Sequence, residues 1–132
     1  MIRWKSVAFG AVAFLSGHAL EVAEWPSFAP ASPFKPWFLN SGRAAALIAA
    51  WLFTAAAIEG IAARPPWREA ISRGWNIALG AALAMGAVLY ASGPGTLAPI
   101  ALAIGAAIAA ASAICGVLLG AALTHGSRAR GR

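Results

Sequence analysis

The side chains able to do chemistry are few: four carboxylates, two histidines and one cysteine in 132 residues. Three of them, His18, Glu21 and Glu24, recur at intervals of three. At about 100° of helix per residue, all three fall within an arc of about 120° along one helical edge. One imidazole and two carboxylates so placed are a donor set for a divalent cation or a proton relay. A metal needs more ligands than one edge supplies, and neither a second His nor a Cys lies on a neighbouring outer segment. The plainer reading therefore makes them polar residues at a helix end, meeting headgroups or basic partners. Haem held between two histidines within one chain is excluded, because His18 and His125 fall at opposite membrane faces.

Glu59 stands four residues inside the end of the second apolar run. An acid in such a place suits a proton- or cation-coupled carrier, since burial disfavours its charged form. The rival is an ion pair. If the first two apolar runs form an antiparallel hairpin, one register sets Lys5 level with Glu59 and Glu21 level with Arg43. On straight helices those two pairs do not share a face, although long side chains reach sideways. The structural ion pair is the preferred reading. Cys115 lies inside an apolar run, has no second cysteine to bond, and reads as a small packing residue. No nucleophile–base arrangement, phosphate-binding glycine loop or metal cluster of diagnostic spacing stands in the chain, so an enzyme is not expected.

The elements that carry these groups are apolar throughout. The chain is 61% hydrophobic and 11% charged, against about 25% charged in soluble domains. So small a chain cannot hide that much apolar surface from water, which excludes a soluble globular enzyme and, by its hydrophobicity, intrinsic disorder. Four apolar runs emerge, each long enough for a bilayer core of about 30 Å. They span about 4–25, 42–63, 72–91 and 96–123. Asn40-Ser41 precedes the second as a cap, and Arg64-Pro65-Pro66 stops it. Pro66 starts the third run's helix early, as an amphipathic turn through Trp67, Arg68, Glu69 and Arg73. Ser92-Gly93-Pro94-Gly95 ends that run, and Pro99 suits the first turn of the fourth. None alternates with period two, so helices rather than barrel strands are expected. The first run resembles the start of a signal peptide, but three more apolar runs follow and it reads as a retained anchor.

Net charge is +6 and the pI about 11.2. Arg3, Lys5, Arg64, Arg68, Arg73, Arg128, Arg130 and Arg132 fall on one side of the runs, and only Lys35 and Arg43 on the other. The split predicts both termini on the cytoplasmic side of a plasma (inner) membrane, and it accounts for the basic residues without nucleic acid. The expected fold is thus an all-α integral membrane protein, with four transmembrane helices in an antiparallel up-down bundle and a basic tail from 124 to 132.

Two further features bear on partners. The outer connection, 26–41, carries Pro26, Pro30, Pro33 and Pro36, a spacing that forbids helix. Its aromatics, Trp37 and Phe38 foremost, suit with Trp25 the outer headgroup boundary, chiefly as a seal for the chain's own bundle, while Trp4 marks the opposite interface at the start of the first run. The 36 Ala and 14 Gly make close helix packing the means of association. Gly74, Ala78, Ala82 and Gly86 form one stripe at intervals of four on the third helix. Ser112, Gly116 and Gly120 form another on the fourth, with Gly105, Ala109 and Ala113 beside it. These stripes predict tight packing between helices three and four or against another subunit. The leading expectation is a non-catalytic accessory or anchor subunit among membrane lipids and partner helices. A small oligomeric transporter or channel using Glu59 comes second, and divalent metal binding at His18, Glu21 and Glu24 third.

Overall fold

The structure is a computed structural model. It describes residues 3–24, 42–91 and 98–130, with side-chain surroundings over 3–19, 46–91 and 99–126. The outer connection, with Trp25, Lys35, Trp37 and Phe38, lies outside the described residues, as do the side chains of Glu21, Glu24 and Arg43. Every described residue except Arg3, Arg64, Pro65 and Pro66 is α-helical. The helices are α1 (Trp4–Glu24), α2 (Gly42–Ala63), α3 (Trp67–Ala91) and α4 (Ala98–Arg130).

The starts and stops have local causes. The carbonyl of Arg3 accepts the Val7 N–H at 3.0 Å and opens α1. Likewise Pro66 O accepts the Ala70 N–H at 2.8 Å, so α3 begins at the proline pair and includes the basic turn before residue 72. At the far end of α2 the N–H of Arg64 still bonds Gly60 O at 3.0 Å, but Arg64 takes a left-handed backbone, with φ of 49°. A left-handed residue closes a helix, and two prolines then prevent its resumption. The fourth helix departs from expectation: it continues through the basic tail to Arg130 instead of ending near Leu123. No proline interrupts it there. The Thr124 hydroxyl bonds back to Ala121 O at 2.8 Å, and arginines suit a helix C-terminus.

Directions follow from facing residues. Between α2 and α4 the facing numbers rise together: Phe53 and Ala57 lie against Gly116, Gly60 against Gly120. Those helices are parallel. Between α3 and α4 they run oppositely, Gly74 lying against Ile114 and Gly86 against Leu102. Arg3 reaches Glu69 and Asn76, so α1 and α3 begin at the same end. Going round the bundle the order is α1, α3, α4, α2. Although α2 and α3 are joined by three residues, they barely touch, because the end of α4 sits between them. The contact of α1 with α2 is the lightest between neighbours.

Each helix sends one large side chain to the centre: Phe14, Leu52, Ile77 and Val117 are almost wholly buried. Most of the remaining interior is alanine, including Ala13, Ala56, Ala70, Ala81, Ala113 and Ala121, with Ile48, Met85 and Leu89 beside them. Backbones therefore approach closely. A Cβ placed on Gly10 would strike the carbonyl of Ile77, and one on Gly80 that of Val7, so α1 and α3 cross glycine to backbone. A Cβ on Gly120 would likewise strike the carbonyl of Ala57. Gly116 and Gly120 thus face α2, whereas the sequence sets their stripe against helix three or another subunit. The Gly74 and Gly86 stripe does face α4. The helices are also apolar on their outer faces, with Trp75 and Leu83 of α3 and Ile100 and Leu123 of α4 exposed. Among the described residues, α2, α3 and α4 are long and apolar enough to cross a membrane. The first helix carries Lys5, His18, Glu21 and Glu24 and is not one of these.

Candidate functional site

Polar chemistry gathers at the end where α1 and α3 begin. Glu69 and Arg73 stand one helical turn apart on α3, a spacing at which side chains meet. Arg73 Nη2 lies 3.0 Å from Glu69 Oε1, and Arg73 Nε donates to the same oxygen at 3.2 Å. Nη1 of that guanidinium extends across to α2 and donates to Glu59 Oε1 at 2.8 Å. From just ahead of α1, Arg3 Nη1 donates to Glu69 Oε1 at 2.8 Å. Two arginines and two carboxylates thus form one continuous chain across three helices, Arg3–Glu69–Arg73–Glu59. The exposures of Arg73 and Glu59, 20% and 24%, make this a half-sheltered network and not a surface pair.

Below it, Asn76 is buried and fully used. Its Oδ1 accepts the Arg3 backbone N–H at 3.1 Å, and its Nδ2 donates to Ser72 O at 2.7 Å. That arrangement ties the first residue of the described chain to α3 and satisfies the polar group where water is scarce. Ser6, also buried, belongs to the same end. On the α4 side, the His125 ring stacks with Trp67 at 6.3 Å between centroids, and its Nε2 lies 3.4 Å from Pro65 O. The last turns of α4 are thereby pinned beneath the α2–α3 elbow.

The structure distributes the sequence candidates as follows. Glu59 is engaged by Arg73 of α3, whereas the sequence register pairs it with Lys5, which is exposed. The error lies in treating α1 and α2 as the tight hairpin, when α1 leans on α3. The proposed Glu21–Arg43 partner pair lies outside the described side chains. His18 is half-buried, its ring stacked with Phe14 at 6.3 Å. Among the described residues no group of three His, Cys, Asp or Glu gathers to hold a metal ion. Glu21 and Glu24 are not among those side chains. Cys115 is exposed on α4. Trp4 stands 73% exposed at the start of α1. In the light contact between α1 and α2, Trp51 Nε1 donates to Ser16 Oγ at 3.2 Å, its ring lying over Gly17.

Sequence reasoning missed Arg3, Arg73 and Asn76 as partners. The Glu69–Arg73 interval of four was the available signal, since it predicts a helical ion pair. Nothing local in the sequence pointed to the links to α1 and α2. The arrangement as a whole can neutralise and fix charge. No protein-family model matches the chain, and no curated protein or solved structure is similar to it.

Proposed function

We propose that the chain is a four-span integral membrane protein with both ends on the cytoplasmic side of a plasma membrane, acting as a non-catalytic accessory or anchor subunit. The observation that carries this reading is the internal neutralisation of Glu59 and Glu69 by Arg73 and Arg3. A coupling acid must exchange its proton or ion with a path. Here the carboxylate of Glu59 is occupied by a guanidinium from a neighbouring helix, and its role is to fasten α2 to α3. What the described residues leave for others is an apolar outer surface, with Trp75, Leu83, Ile100 and Leu123 among its exposed side chains, on which lipids and partner helices can pack. The α1 helix is 21 residues, or about 31 Å of rise, which supports its crossing beside the other three. Partners would be membrane lipids and helices of other subunits or of further copies.

Two experiments test the reading. Reporter enzymes fused after Pro94 and at the C-terminus should report opposite compartments, and agreement between them refutes the four-span arrangement. Gentle solubilisation followed by identification of co-purifying proteins should recover unlike subunits in fixed ratio. A discrete homo-oligomer whose proton flux is abolished by Glu59→Gln would favour the transporter reading instead.

A further inference from the structure

The chain's charge is unevenly used. Between the α1 C-terminus and the α2 N-terminus, two bases (Lys35, Arg43) offset two acids (Glu21, Glu24), so the whole net charge of +6 belongs to the other end. At that other end the two acids are committed to Arg3 and Arg73. Among the described residues neither Arg64 nor Arg68 is paired with a carboxylate, and both are exposed. They flank the elbow, separated by Pro65, Pro66 and Trp67. Four residues extend at most about 14 Å, within which two arginine side chains can converge on one anion.

The elbow is built rigidly around them. Arg64 adopts the left-handed backbone that glycine or asparagine usually supplies at a helix end. Pro65 is buried, its carbonyl against His125, while Trp67 stacks on His125 and remains half-exposed at the rim. Immediately along each helix stands an exposed aliphatic, Ile61 on α2 and Ile71 on α3. Two guanidiniums, an interfacial indole and aliphatic side chains in sequence match a ligand with an anionic head and a hydrocarbon tail.

We propose that the α2–α3 elbow binds the phosphate of an anionic glycerophospholipid between Arg64 and Arg68, with Trp67 at the headgroup level and Ile61 and Ile71 along the acyl chains. This rests on the membrane reading above. Removing each guanidinium weakens retention about fivefold, or about 25-fold for both.

The test uses the full chain, reconstituted in vesicles of equal phosphatidylglycerol and phosphatidylcholine, re-extracted gently and weighed with its bound lipid by native mass spectrometry. The wild type should carry phosphatidylglycerol well above phosphatidylcholine. Arg64→Gln with Arg68→Gln should bring the two level, while Arg128→Gln with Arg130→Gln, an equal loss of charge on the tail, should keep the preference. Arg64→Gly guards against misfolding, because glycine suits the left-handed backbone: it should fold at least as well as wild type and still lose about fivefold in retention. Equal loss in the elbow and tail variants, or none in the elbow variant, overturns the proposal. A membrane-extracted chain with no lipid preference defeats the site alone. A chain found in the aqueous fraction after lysis defeats the membrane reading together with it.

Discussion

Two glycines on one helix should respond in opposite directions to the same substitution. A Cβ at Gly80 would fall on the Val7 carbonyl oxygen, with the carbonyl carbon at 2.7 Å and Ala11 N at 3.0 Å. All of these are backbone atoms of α1, so no side chain can swing aside. Ordinary contact requires α1 and α3 to part by roughly 1.5 Å, a gap that forfeits half or more of the attraction between facing atoms. With the strain of overpacking, Gly80→Ala should cost about 2–3 kcal/mol. At Gly86 the new methyl would meet only the Leu102 side chain, at 3.7 and 3.8 Å. That is van der Waals contact, and alanine's helix preference should make Gly86→Ala stabilising by about 0.5–1 kcal/mol. The assay is reversible unfolding of the purified protein in mixed micelles, read from tryptophan emission against the fraction of denaturing detergent. The Gly80 midpoint should fall and the Gly86 midpoint rise. If both move alike, the helix crossing at Gly10 and Gly80 is not a backbone contact and the close-packing account fails.

The remaining predictions use the same assay. Arg73→Gln removes the bridging guanidinium and should cost about 2 kcal/mol, the half-exposed position tempering the penalty of a fully buried pair. Adding Glu59→Gln to it should cost little more, since the carboxylate's partner has already gone; full additivity would show the pair to be uncoupled. Arg64→Gly should stabilise by about 1 kcal/mol through relief of the left-handed backbone, and a loss of stability would refute that backbone. Ser16→Ala removes the hydroxyl that receives the Trp51 indole N–H and should cost about 0.6 kcal/mol, with a change in the indole's emission as the independent readout.

Much of the helix layout was readable from the chain because punctuation is local. Gly42–Ala63 starts and stops where Asn40-Ser41 and Arg64-Pro65-Pro66 place it, and Pro66 opens the next helix as its fixed φ suggests. What failed was longer in range. Beyond Leu123, α4 carries His125 against Pro65 and Trp67, a tertiary contact that no local signal announces. Neighbour choice was likewise hidden. In a chain so rich in Ala and Gly nearly every helix face offers small residues, and the periodic stripe through Gly74 and Gly86 drew attention away from Gly80, which makes the closest approach to α1. The ion partner of Glu59 followed the same rule: depth was readable, but the face of α2 that meets Arg73 was set by which helices adjoin.

The wedge of α4 between two helices joined by only three residues bears on the order of synthesis. A ribosome delivers α2 and α3 together, yet beyond the Glu59–Arg73 pair they have little to hold on to in one another. Until the last quarter of the polypeptide emerges, the glycines at 60 and 74 have no mate, and α2 and α3 are held together only by their short connection and the Glu59–Arg73 pair. Completion of the chain is then the event that closes the assembly. A message truncated ahead of Ala98 should yield a product that membrane proteases recognise and clear, whereas loss of the last few arginines alone should not.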